Sequence, residues 1–239
     1  MLLFAPIFGN ANVPLQIRIA ISLMFACILY PMVMTSLSPI PEDIISYAFI
    51  IMKEIAIGAV IGFAASILFA TFTMAGYLIS NQMGLDTASI VDPSSETGEE
   101  EQSLSIFYNM IALLIFFTIN GHHWFIKTTA QSFEMIPLGN FQYTTVTLTK
   151  VLTIFKTFLV MAIKISAPSL VVLLLTVVVL GLMTKVAQEI NVFLIAFPLK
   201  ILIGFLILIV ALPFVINAIK SYLTPLENSM TSLLSVMRG

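Results

Sequence analysis

The residues of this chain that could do chemistry fall in four places. The pair His122-His123, flanked by Asn120, Gly121 and Trp124, could hold a metal or relay a proton. A zinc site needs further ligands at workable spacing; the nearest carboxylate is Glu134, and no HExxH or CxxC pattern occurs. The pair therefore reads as an interfacial cluster, where amphipathic rings suit a half-wet setting. The second place is Lys53-Glu54, at the head of an apolar run. A carboxylate at membrane depth is costly to hold and so often carries a proton or a gate. Beside its own lysine near a span end, it reads instead as a headgroup-level charge.

Third comes the acidic stretch from Gly84 to Ser103, with Asp86, Asp92, Glu96, Glu99, Glu100 and Glu101 and no lysine or arginine. Asp92-Pro93 has the form of a helix cap followed by proline at the first helical position. Thr97-Gly98-Glu99-Glu100 fits a capping box ahead of the next apolar run. On these residues alone the stretch is a solvated loop with an acidic helix start. Fourth is Lys150–Ser166, where Lys150, Thr153, Lys156, Thr157 and Lys164 share a sector of about 120° at 100° per residue. Such a face lines an aqueous path, meets an acidic partner or lies at lipid headgroups. No GxSxG elbow, P-loop or GxGxxG is present, so no recognisable set of groups supports an enzyme, and no cofactor or metal is expected.

The elements that must position these residues are apolar. Hydrophobic residues make up 59% of the 239 and charged ones only 9%, far below the charged fraction of soluble domains, and the mean hydropathy is +1.08. The expected fold class is an all-α membrane protein, one domain over residues 1–239, with an acidic loop at about 84–103 and an amphipathic tail at about 220–239. A net charge of −2 and the lack of a basic block argue against a nucleic-acid partner. Cys27 is the single cysteine, and its apolar neighbours predict a buried thiol. Met1 to Pro14 has no basic start and does not read as a cleavable signal peptide.

Five long uncharged stretches follow: Ile19–Pro41, Ile55–Leu85, Gln102–Ile126, Ile165–Thr184 and Ile201–Ile219. Each reaches the roughly 20 apolar residues that cross a bilayer. The second, about 31 residues and roughly 46 Å as one helix, is too long for one simple crossing; Gly76 and Gly84 are places to bend or stop. Pro168, Pro198 and Pro213 interrupt the later stretches, each removing a backbone donor. If all five cross, Lys53, Lys127, Lys150, Lys220 and Arg238 share one side, which leans towards an outside acidic loop. Gly58 and Gly62, extended by Ser66 and Ala70 and preceded by Glu54, form a small-residue ridge suited to close helix packing.

Taken together, these positions resemble the FliR family of type III export-gate proteins. The motifs are Ala5-Pro6-Ile7-Phe8-Gly9 with Val13-Pro14 and Arg18, then Glu54, Gly58 and Gly62, then Ala75-Gly76 with Gln82-Met83-Gly84. Asp92-Pro93, Asn120-Gly121-His122, Ser132-Phe133 with Pro137, Ala167-Pro168, and Asn191-Val192-Phe193 through Pro198-Leu199-Lys200 complete the series, in order over about residues 4–205. The Asn-Gly-His and Asn-Val-Phe elements are similar to the flagellar branch rather than the virulence-secretion branch.

The resemblance implies long helices and hairpins, several broken at Pro or Gly, packed in a hetero-oligomeric gate with FliP-like and FliQ-like subunits. It implies a place in the bacterial inner membrane at the flagellar basal body, in contact with lipid, and passage of unfolded flagellar proteins. The segment matching the family's plug, around Ser89–Ser103 with Ser89, Asp92, Pro93, Ser94, Ser95, Glu96, Glu99, Glu100 and Glu101, would block the closed channel. Glu54, Gly58, Gly62 and Ser66 would fix the helix in the assembly. Two departures stand out: family members usually carry another apolar segment before the Ala-Pro motif, and Gln188-Glu189 replace a Pro-Gln pair. The competing reading from the residues alone is a small secondary transporter with its site among broken helices, although no internal repeat is visible.

Overall fold

Asp43 explains where the longest early helix begins. Its carboxylate accepts from the Ser46 backbone N–H at 3.4 Å and from the Ser46 hydroxyl at 3.2 Å, an N-cap that satisfies donors of the first turn. From there the chain stays helical to Met83 and ends in glycine. The structure, a computed structural model, describes residues 14–34, 43–85, 103–136, 145–186, 192–223, 231–232 and 234–235. Its helices are α1 (Leu15–Met34), α2 (Ile44–Met83), α3 (Ser103–Thr118), α4 (Gly121–Met135), α5 (Thr145–Val186) and α6 (Val192–Leu223). No strand occurs among the described residues.

Three of these, α2, α5 and the Ile195–Leu223 part of α6, are long and apolar enough to cross a membrane, or four if the bent pair α3–α4 counts as one span. This differs from the five expected crossings. α1 has an apolar run of only Leu15–Pro31, short of a full span. The charged residues used to delimit loops also lie inside helices. Lys53 and Glu54 sit in the third turn of α2, and Lys150 sits in the second turn of α5. At 40 and 42 residues these helices run roughly 60 Å, about twice the hydrocarbon thickness, so charges within them need not mark span ends. The side-counting argument for an outside loop therefore loses its basis.

The prolines disturb the hydrogen-bond ladder without ending a helix. Pro31 lies inside α1, Pro168 inside α5, and Pro198 and Pro213 inside α6. In an apolar environment an ended helix would expose many backbone groups, whereas one proline frees a single carbonyl that neighbouring groups can satisfy.

The chain divides into two compact units. Unit 1 holds residues 1–69, 116–157 and 223–239. Its core joins Ile57, Ile61, Ile136 and Leu234, flanked by Val60, Met135, Val151 and Ile154. Ala64 and Ala65 pack beside Phe125 and Ile154, and α1 packs on α4. Unit 2 holds residues 70–115 and 158–222, with Phe72, Ala75, Ile79, Met83, Tyr108, Ile165, Leu173 and Ile219 buried. Phe72 meets Tyr222 edge to face at 6.1 Å, and the Thr71 hydroxyl lies 3.4 Å from the Tyr222 hydroxyl.

Much apolar surface is left uncovered. On α1, Leu15, Ile19, Leu23, Met24 and Ile28 are exposed, and on α6 so are Leu202, Phe205, Leu206, Ile209 and Val210. Apolar faces of this breadth belong against lipid or other protein. Cys27 lies on such a face: the thiol is exposed, contrary to the buried site expected, because α1 buries little besides Leu29 within this chain.

Candidate gate and helix-packing site

The connection between α2 and α3 begins at Gly84. Its φ of 79° is left-handed, a conformation that glycine adopts without strain. The Gly84 N–H donates to the Asn81 carbonyl at 3.1 Å and the Leu85 N–H to the Ser80 carbonyl at 3.2 Å. These two bonds form a Schellman cap, which closes the end of α2. Gln82, one residue before Met83, is half-buried. Ser89, Asp92, Pro93, Ser94, Ser95, Glu96, Glu99, Glu100 and Glu101 lie outside the described residues, as do Pro6, Gly9 and Asn191. The caps expected at Asp92-Pro93 and Thr97-Gly98-Glu99-Glu100 fall there too.

Along α2, Glu54, Gly58, Gly62 and Ser66 recur every four residues and so share one side of the helix. Glu54, Gly58 and Ser66 are half-buried and Gly62 is buried. The Ser66 hydroxyl bonds the Phe63 carbonyl at 2.8 Å, which leaves it no donor for another helix. Ala70, the expected continuation of the ridge, is exposed. A backbone-to-backbone approach does occur further along α2, at Gly76. A Cβ there would lie 2.6 Å from the Leu104 carbonyl oxygen and 2.7 Å from the Ser105 Cα, so only glycine lets the first turn of α3 settle on α2. α2 runs on through Gly76 to Met83, so Gly76 does not stop its helix.

The Asn120-Gly121-His122 motif forms the break between α3 and α4. Asn120 is left-handed, φ 57° and ψ 30°, and its carbonyl accepts the His123 N–H at 3.0 Å. Asparagine tolerates this region better than most residues. Gly121 is buried, and a Cβ on it would run into the Phe116 ring. That ring is held edge to face by Phe69 at 5.3 Å. His122 lies between rings, 5.3 Å from Phe117 and 4.2 Å from His123, and its buried Nδ1 has no hydrogen-bond partner among the described residues. The motif is thus a turn built from one left-handed residue, one side-chain-free residue and one stacked ring. Among the described residues no three His, Cys, Asp or Glu come together.

On α5, Thr153, Lys156, Thr157 and Lys164 are exposed, whereas Lys150 is half-buried and donates to the Ser232 hydroxyl at 3.5 Å. That bond belongs to the C-terminal tail: residues 231–232 and 234–235 lie in unit 1, with Leu234 0% exposed. The sequence signal for it is the amphipathic tail expected at about 220–239, which contains Leu233-Leu234. In α6, Pro198 is exposed and Lys200 half-buried, and Phe193 lies in the first turn.

Long, lipid-length helices with broad uncovered apolar faces, a glycine-capped acidic connection and close helix approaches define a membrane-embedded helical subunit. The chain matches the family "Bacterial export proteins, family 1" over residues 1–226, and it belongs to that family. It is similar to the "Flagellar biosynthetic protein FliR" of Escherichia coli (strain K12), 28% identical over 236 residues covering 97% of this chain and 87% of that protein. The FliR of Bacillus subtilis (strain 168) is 28% identical over 241 residues, 97% of this chain and 89% of the relative. The "Surface presentation of antigens protein SpaR" of Shigella flexneri is 25% identical over 208 residues, 87% and 78%.

Proposed function

We propose that this chain is a subunit of the flagellar type III protein export channel, needed to pass unfolded flagellar proteins and to build the flagellum. The observation that carries this is the family match over nearly the whole chain, together with similarity to flagellar FliR proteins over most of their length. The helices fit it: three or four are able to cross a membrane, and their uncovered faces suit a packed assembly. The chain works with other export-apparatus subunits, here taken as FliP-like and FliQ-like chains in the inner membrane at the basal body. The same match disfavours the small secondary transporter.

Within that role, the acidic connection around Ser89–Ser103 is the plug of the closed channel, and the Glu54, Gly58, Gly62 and Ser66 face of α2 fixes the helix among its partners. The Asn120-Gly121-His122 turn and the Phe193, Pro198 and Lys200 region of α6 are structural positions of the family fold. A second reading, the virulence-secretion branch, draws on the similarity to SpaR. Deleting the gene from its host separates the two. Loss of flagella, restored by the intact gene, supports the flagellar reading; normal flagella with lost secretion of virulence proteins supports the other. Removing residues 89–103 should leave the complex assembled but leaky to ions, and a tight, assembled deletion complex would rule out the plug.

A further inference from the structure

The first turns of α5, within unit 1, carry an exposed polar stripe made of Thr149, Thr153, Lys156 and Thr157. At 100° per residue the four fall in a sector of about 100°. From Thr149 to Thr157 the stripe runs about 12 Å along the axis at 1.5 Å per residue. On another side of the same turns, Leu148, Leu152 and Phe155 are exposed and apolar. Lys150 is half-buried and donates to Ser232, so it takes no part in the exposed stripe, whose cation is Lys156.

The hydroxyls of the stripe are turned back on their own helix. Thr149 donates to the Val146 carbonyl at 2.8 Å, Thr153 to the Thr149 carbonyl at 2.8 Å, and Thr157 to the Thr153 carbonyl at 2.9 Å. A hydroxyl has one proton to donate, so outwards each threonine offers lone pairs alone. This separates the surfaces that could cover the stripe. An acidic partner needs donors, and only Lys156 has any to give. An apolar partner would strip water from three acceptors and an ammonium, which is costly without replacement bonds. The headgroup layer on each side of a bilayer is about 5–8 Å deep, shorter than a stripe that runs along a helix able to cross. Water hydrates the acceptors and the ammonium alike over the whole length.

We infer that Thr149, Thr153, Lys156 and Thr157 line a water-filled path, and that the ligand of this face is an extended polypeptide. The backbone N–H groups of such a chain exchange water for threonine acceptors with little net gain, so it is accompanied without being held. Its carbonyls meet no threonine donor. The polypeptide part rests on the export-channel reading; the wetted face does not.

The test uses the full chain in its assembled complex in mild detergent, with Cys27→Ala so that an introduced thiol is the chain's only one. Thr149→Cys, Thr153→Cys and Thr157→Cys are compared with Leu152→Cys, which lies at the same depth on the apolar side. A charged, water-soluble methanethiosulfonate should modify the three stripe positions at similar rates, about tenfold or more faster than Leu152→Cys, because apolar surroundings withhold the reactive thiolate. Rates that fall steeply from Thr149→Cys to Thr157→Cys would indicate a headgroup layer and overturn the inference. Thiols that react in the isolated chain but are blocked in the complex would indicate a subunit interface and overturn it too.

The second readout places a benzophenone side chain at Thr153 or at Leu152 and stalls an export substrate by fusing a folded domain to its C-terminus. A cross-link to the substrate from Thr153 and none from Leu152 supports the polypeptide. A stalled substrate that cross-links from neither position overturns that part and leaves the export reading standing. If no substrate stalls on the complex, the export reading fails and takes the polypeptide with it, while the thiol rates still decide the wetted face.

Discussion

Substituting Gly121 by alanine tests whether the α3–α4 turn is set by packing in the way the geometry implies. The added methyl enters the space of the Phe116 ring, which cannot retreat freely because Phe69 holds it edge to face and both rings are buried. Overpacking of this kind costs about 1–3 kcal/mol. Displacing the aromatic pair removes about 0.5–1.5 kcal/mol more. The sum is about 1.5–4.5 kcal/mol, and at roughly 2–4 °C per kcal/mol for a chain of this size the unfolding midpoint should fall by about 3–18 °C. The chain's single tryptophan, Trp124, lies three residues away, so its fluorescence during heating in mild detergent is the assay. Phe116→Leu in the same background should recover part of the loss, as expected for residues in contact. A midpoint within about 1 °C of wild type would show that the ring has room, and the packing account of the turn would be wrong.

Other outcomes follow from the same structure. Leu234→Ala should lower stability by about 2–5 kcal/mol, since a fully buried leucine is lost from the core of unit 1, and the same melting assay reads it. Replacing both Gly58 and Gly62 by leucine should prevent recovery of the assembled complex; normal yield would remove the ridge from the assembly. Asn120→Val should cost about 1–2 kcal/mol because a β-branched residue resists the left-handed backbone, whereas Asn120→Gly should melt at or slightly above the wild-type temperature.

Composition and apolar run length made the helical membrane class legible, because no soluble fold could cover so many apolar residues with so few charges. The stop at Gly84 was also legible, since a glycine after a long apolar run suits a left-handed cap. The start of α2 was misplaced for a physical reason. Reading from charge to charge put the boundary at Glu54, but a half-buried Lys53-Glu54 pair fits inside a helix twice as long as a bilayer is thick, and the local signal was the Asp43 cap. The prolines misled similarly, because one missing donor weakens a helix without ending it.

At the candidate site, motif order indicated Gly76, Gly121 and His122, but not what they do. Gly76 and Gly121 matter for what lies against them, Leu104 and Phe116, and such contacts leave no local pattern. Cys27 was misjudged because apolar neighbours in sequence indicate a buried site only when the helix is covered by its own chain.

The central claim is membership of an export-gate assembly, and the most direct measurement is a mild-detergent pull-down of the tagged chain with mass spectrometry of what accompanies it. FliP-like and FliQ-like chains should be recovered in fixed proportion and lost together with the Gly58→Leu/Gly62→Leu variant. A stable wild-type chain recovered alone would contradict the account and turn attention to solute flux.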